Sequence, residues 1–201
     1  MFRNTILLIF MIFTFSGKAQ LAKDQTVDET LKTVIRDILQ LSADANVSEI
    51  NKKYIHPEFG VYDVFRIGVP DTFEQHFSIS FSFPAGQNSS RYPNLMEITE
   101  IAIPKEVVKY NAIFDCNEMV WDRAGLFVTD SISYPRISKI LKQPVFETSK
   151  FSKSFYKQVK HIEEKSHRVV FTKLDIVFYL TKIDGKWYLT LFDRVTTDCS
   201  A

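Results

Sequence analysis

The chain has 201 residues, 28 of them aromatic and 18 of those Phe, which is enough length and apolar material for one domain with a sizeable core. Six Gly and seven Pro exclude a collagen-like or low-complexity chain. With 25 basic and 24 acidic residues, no overall charge draws it to nucleic acid or anionic lipid, and neither is expected as a partner.

The first twenty residues, MFRNTILLIFMIFTFSGKAQ, combine a basic Arg3, an apolar run from Ile6 to Phe15 and the small residues Gly17 and Ala19. This pattern predicts a signal peptide over 1–19, cleaved after Ala19, with a single α+β domain over 20–201. An uncleaved anchor is the alternative reading. The apolar run is too short to span a bilayer, and no later stretch is long enough, so stable membrane insertion is not expected. Removing Arg3 and Lys18 leaves 23 basic against 24 acidic residues. The expected location is outside the cytoplasm, periplasmic or secreted.

From Thr26 the spacing turns helical, with a capping box of Thr26 and Glu29. Val27, Leu31, Val34, Ile35, Ile38 and Leu39 recur at threes and fours, predicting an amphipathic helix over about 27–43. A second short helix starts at Asn46, buries Val47, Ile50 and Tyr54, and ends at His56-Pro57. Residues 60–67, GVYDVFRI, read as a strand. A helical turn near 71–75 follows, and then a strand that places Phe77, Ile79, Phe81 and Phe83 on one face and serines on the other. Between 96 and 130 the signal is mixed, with strands expected near 107–114 and 125–128. Pro135 opens a short helix through Leu141. A longer helix over about 149–165 buries Phe151, Phe155, Val159 and Ile162, and its lysine face reads as a solvated surface.

The strongest local signal is residues 174–195, LDIVFYLTKIDGKWYLTLFDRV, where two β-branched and aromatic runs flank Asp184-Gly185, the dipeptide of a type I′ hairpin turn. That turn sets Leu180 opposite Leu189, Phe178 opposite Leu191, and Asp175 opposite Arg194 as a cross-strand ion pair. Alternation then puts Asp193 on the face of Ile176, Phe178 and Leu191. Both faces are largely apolar, which predicts a place in mid-sheet, covered on both sides or curved around a pocket.

Cys116 and Cys199 are the two cysteines of the chain. In an exported chain they are expected to pair, tying the C-terminal tail to the body; free thiols are the alternative. Their spacing rules out a CxxC redox or metal motif.

Motifs that carry chemistry are scarce. There is no G-x-S-x-G elbow, glycine-rich phosphate loop, HExxH or EF-hand loop, and neither a cofactor nor a metal is expected. Asp193 is the candidate catalytic residue, since a carboxyl in apolar surroundings has its pKa raised toward acid/base use; a structural partner is the competing account. His56, beside Tyr62 and Arg66, is a second candidate at a pocket mouth. Tyr62, Arg66, Phe178 and Leu191 are the candidate ligand-binding residues. His161, Glu164 and His167, spaced by threes, do not converge well enough for a metal.

Two N-terminal helices, a mixed middle and the terminal DGKWYLTLFDRV hairpin resemble the layout of the NTF2-like superfamily. That resemblance implies a curved antiparallel sheet wrapped as a cone around a long helix, and a cavity that serves either catalysis or binding. The helix expected just before the last hairpin departs from the usual order. The SGKAQ ending of the leader and the Phe, Ile and Lys-rich composition resemble exported proteins of Bacteroidetes-type bacteria. The expected function is a non-catalytic exported binding module, holding a small apolar ligand or an envelope protein. The alternative is a cavity enzyme of hydrolase or isomerase type that uses Asp193 with His56.

Overall fold

The structure is a computed structural model and describes residues 26–66, 68, 70–80, 102–130, 137–143 and 151–200. The expected signal peptide, the serine-faced strand beyond Ser80, Pro135 and the start of the lysine-faced helix lie outside the described residues.

The fold is α+β. Helices α1 (Glu29–Ala43) and α2 (Val47–Tyr54) open it, followed by β1 (Val61–Arg66), β2 (Asp71–His76), β3 (Val108–Lys109), β4 (Phe114–Asp115), β5 (Val120–Trp121) and β6 (Leu126–Thr129). Helices α3 (Ile137–Ile140) and α4 (Lys153–Lys165) precede β7 (Ser166–Phe171), β8 (Ile176–Ile183) and β9 (Lys186–Asp193). Among the described residues, seven strands form one open mixed sheet in the order β2-β1-β9-β8-β7-β6-β3, and β4 with β5 makes a separate small hairpin. The pairs β1–β9 and β3–β6 are parallel; the others are antiparallel.

The local chemistry explains most of these elements. Asp28, rather than Thr26, caps α1, accepting the Thr30 N–H at 2.7 Å, and a side-chain cap of this kind stabilises a helix by about 1 kcal/mol. Leu31, Ile35, Ile38 and Leu39 form its buried stripe. Asn46 caps α2 as expected, and the Tyr54 hydroxyl donates to Asp37 of α1 at 2.5 Å. Ser152 caps α4, which buries Phe155, Val159 and Ile162.

The β8–β9 hairpin occupies the middle of the sheet. Its turn residues Asp184 and Gly185 have φ of 48° and 82°, both left-handed as a type I′ turn requires. One face carries Phe178, Leu180, Trp187, Leu189 and Phe192 against α1 and α2. The other carries Val177, Tyr179 and Leu191 against α3 and α4. Each such side chain, fully buried, contributes roughly 1.5–3 kcal/mol, so the centre of the sheet is held from both sides.

Four further expectations need correction. A bulge shifts the hairpin register at Tyr179/Leu180, so that Leu180 faces Leu189 as expected but Tyr179 faces Leu191 and Phe178 faces Phe192. Thr190 is the extra residue, and beyond it each β9 side chain sits on the opposite face from the one expected. Asp175 does not pair with Arg194: it ends a 3-10 turn at φ 54° and accepts the Trp121 indole N–H, while Arg194 makes a two-pronged ion pair with buried Asp63 of β1. Residues 71–76, expected as a helical turn, form the edge strand β2, and Phe77 and Ile79 do not share a face, since Phe77 is exposed while Ile79 is buried beneath Asn51 of α2.

Candidate functional site

Asp193 ends β9 and is 2% exposed. One carboxylate oxygen accepts the N–H groups of Val195 (3.0 Å) and Thr196 (2.8 Å), and the other accepts the Thr196 hydroxyl (2.5 Å). Burial raises its pKa above the usual carboxylate range, against the lowering effect of the Thr196 hydroxyl and N–H, the Arg168 charge and the Val195 N–H. Its lone pairs are aimed at the turn that follows. In this fold the carboxylate stops the strand and turns the chain into its C-terminal tail.

His56 stands elsewhere. Its Nδ1 accepts the N–H groups of Glu58 and Phe59, and its ring lies edge-on to Phe59 and Tyr188, each at 4.8 Å. Asp193 is five residues further along β9 than Tyr188, roughly 16 Å at strand rise. The two candidate catalytic groups are not brought together.

The candidate ligand-binding residues divide between faces. Tyr62 and Leu191 are cross-strand partners on the α4 side, whereas Phe178 lies on the α1 side. Tyr62 is fully buried beside Phe73 and Phe155, its hydroxyl has no hydrogen-bond partner among the described residues, and burial pushes its pKa up. Arg66 closes β1 with an ion pair to Asp71 (2.8 Å) and a bond to the Asp198 carbonyl (2.7 Å).

Arg168, which sequence reasoning did not single out, is 4% exposed and faces Tyr179 across β7–β8. Its Nη1 donates to the Ala112 carbonyl at 2.9 Å and its guanidinium lies 5.7 Å from the Trp121 ring centre. A charge so buried needs such partners. Nearby, Ser166, Thr181 and Thr190 link their hydroxyls in a buried chain with 2.6 Å steps.

The β4–β5 hairpin is organised the other way round. Asp115 caps its turn from within, and Asp122 fastens its base by accepting the Ile113 N–H and the Tyr110 hydroxyl. Phe114 and Trp121 meet edge to face at 5.2 Å. The Cys116–Cys199 disulfide, with Cα atoms 5.5 Å apart, joins the turn to the C-terminal tail. Yet Ile113, Met119 and Val120 are 60%, 59% and 53% exposed. Met119 also holds a left-handed φ of 55°, a conformation that costs a non-glycine residue about 1–2 kcal/mol. A groove of about 520 Å³ runs beside these residues, lined by Met119, Val120, Trp121, Ala124, Phe171 and Lys173 among others. A second groove, of about 600 Å³, follows α1, where Arg36 donates to the Lys105 carbonyl.

Among the described residues, no group of three or more His, Cys, Asp or Glu is placed to hold a metal ion. His167 lies in β7 rather than on the helix of His161, and its Nδ1 is 2.9 Å from Asp130. No helix among the described residues is long and apolar enough to cross a membrane. Compared with protein-family models, curated proteins and solved structures, the chain matches none of them.

Proposed function

We propose that the protein is an exported, non-catalytic binding module that presents the β4–β5 hairpin to another envelope protein. The carrying observation is the hairpin's apolar surface: Ile113, Met119 and Val120 stand in solvent on a structure fixed to the body by a disulfide. Contiguous exposed apolar side chains are costly in a chain that uses them for nothing. The strained backbone at Met119, which no burial of that side chain offsets, points the same way.

Two features favour a protein partner over a small apolar ligand, and binding over catalysis. Helices and their side chains fill both sheet faces around β8 and β9. The Asp193 oxygens are engaged by Val195 and Thr196, far from His56, which supports a structural acceptor rather than a general acid or base. The disulfide and the signal-like leader support export. Kinship with the NTF2-like superfamily and a Bacteroidetes-type source belong to the same proposal. A helix pair over an open mixed sheet that ends in the β8–β9 hairpin supports that kinship, and α4, inserted ahead of β7, is the departure from its layout.

The test is native mass spectrometry of the protein isolated gently from the envelope of its host, wild type beside Val120→Asp. The expected result is a co-isolated protein mass with the wild type that is lost in the variant while both melt alike. A partner retained by the variant, or a small-molecule mass with no protein, overturns the proposal.

A further inference from the structure

Two segments without long strands or helices of their own cover one end of the sheet on the α4 side. The first, residues 110–122, runs off β3 through buried Ala112 into the β4–β5 hairpin. The second, residues 194–200, leaves β9 through the Asp193 turn and buried Val195. An arginine seats each of them by a main-chain carbonyl. Arg168 of β7 donates to the Ala112 carbonyl at 2.9 Å, and Arg66 of β1 donates to the Asp198 carbonyl at 2.7 Å. The Cys116–Cys199 bond joins the two arms end to end into a strap.

Beyond the Trp121–Asp175 and Arg194–Asp63 contacts at their roots, the arms have few bonds to the body. The hairpin has two residues in each strand, and an isolated two-stranded hairpin is marginal in water. The tail, beyond the Asp193 turn, adds the Asp198 N–H to Val195 carbonyl bond. Cys116 sits in an exposed turn, where a thiol reagent meets it before any part of the sheet opens. The inner strands β1, β9, β8, β7 and β6, by contrast, carry the buried residues of both faces and pair with one another without the strap.

We propose that Cys116–Cys199 is a redox latch: reduction by an external dithiol releases the hairpin arm and the tail together from the arginines beneath them and leaves the seven-stranded sheet formed. The dithiol's thiolate attacks the Cys116 sulfur, the S–S bond breaks and Cys199 leaves as a thiolate. The second thiol of the reagent then displaces Cys116 from the mixed disulfide. The protein gains two electrons and two protons, and the dithiol becomes a disulfide. In its closed form the latch fixes Ile113, Met119 and Val120 as one surface, so the inference also names a control over that surface and in that respect rests on the reading of the hairpin as a binding face.

The test is hydrogen exchange of the full chain, oxidised, reduced with dithiothreitol, and as the Cys116→Ser/Cys199→Ser variant. Amides of residues 112–122 and 197–200 are expected to lose most of their protection, exchanging at least about tenfold faster in both reduced and variant protein, while β7 and β8 remain far slower than the strap and the difference reverses on reoxidation. Unchanged exchange in the strap overturns the proposal, because the arms would then be held without the bond. Collapse of β7 and β8 protection to the level of the opened strap also overturns it, because the sheet would then fail to form without the bond. The experiment requires no partner, so its failure is distinct from failure of the hairpin reading, which Val120→Asp tests in the oxidised protein.

Discussion

The β8–β9 and β4–β5 hairpins are alike in outline and opposite in what holds them. In β8–β9 the turn residues have the left-handed backbone they need, and side chains of both faces are buried under helices. In β4–β5 the strands are two residues long, the apolar residues Ile113, Met119 and Val120 face solvent, and a disulfide with a few side-chain hydrogen bonds does the holding. A hairpin stabilised by burial uses its apolar side chains internally. One held covalently leaves them free for another molecule.

The contrast is open to breaking. Phe178→Ala, deep in the central hairpin, is expected to cost about 4 kcal/mol in denaturant unfolding; a loss under about 1 kcal/mol would mean that burial is not what holds it. Cys116→Ser/Cys199→Ser is expected to cost about 3 kcal/mol, given a sequence separation of 83 residues in the closed loop, measured by thermal and chemical unfolding of the same samples. Asp193→Ala leaves the Val195 and Thr196 N–H groups and the Thr196 hydroxyl without their acceptor, a loss of about 2 kcal/mol.

Asp193 also sharpens the comparison through pH. Burial raises its folded-state pKa above the unfolded 3.8, so the carboxyl ionises more readily unfolded than folded. Measured against the non-titrating Asp193→Asn, the wild type is therefore expected to lose stability as pH rises from about 4 through that raised value, and to regain it on acidification. A flat difference between the two proteins across that range would remove the claim. The smallest expected effect is that of Val120→Asp, within about 0.5 kcal/mol of wild-type stability, since its side chain is half in water already. A loss of 2 kcal/mol there would show that β4–β5 is also held by burial.

What could be read from the chain follows from how local its causes are. The Asp184-Gly185 turn, the α1 stripe, the Asn46 cap and the pairing of two cysteines depend on neighbouring residues or on a count of two, and the structure has all of them. Strand β7 escaped notice because Lys165 passes straight from helix into Ser166-His-Arg-Val-Val-Phe with no Gly or Pro to mark the change. Strand β2, Asp-Thr-Phe-Glu-Gln-His, lies at a sheet edge, where alternation weakens. The candidate site was less legible than the fold. A one-residue bulge at Thr190 moved Leu191 and Asp193 to the other face from Phe178. Arg168 reads as a surface charge until Trp121 and Ala112, some fifty residues away, are folded over it. Ile113, Met119 and Val120 lie in the stretch of mixed signal, and sequence alone does not reveal which apolar residues a fold leaves outside.

The parallel pairing of β1 with β9 bears on when the protein can fold at all. Tyr62 and Leu191 are adjacent in the sheet, yet 191 − 62 = 129 positions separate them, and all of that stretch must be made before they meet. So high a contact order makes for slow folding. During synthesis β1 and β2 are made well before β9, and until it follows β1 lacks its neighbour on the inner side of the sheet. A chain built this way cannot close the centre of its sheet until β9 is in place, so the polypeptide stays open for longer than one whose sheet pairs in order.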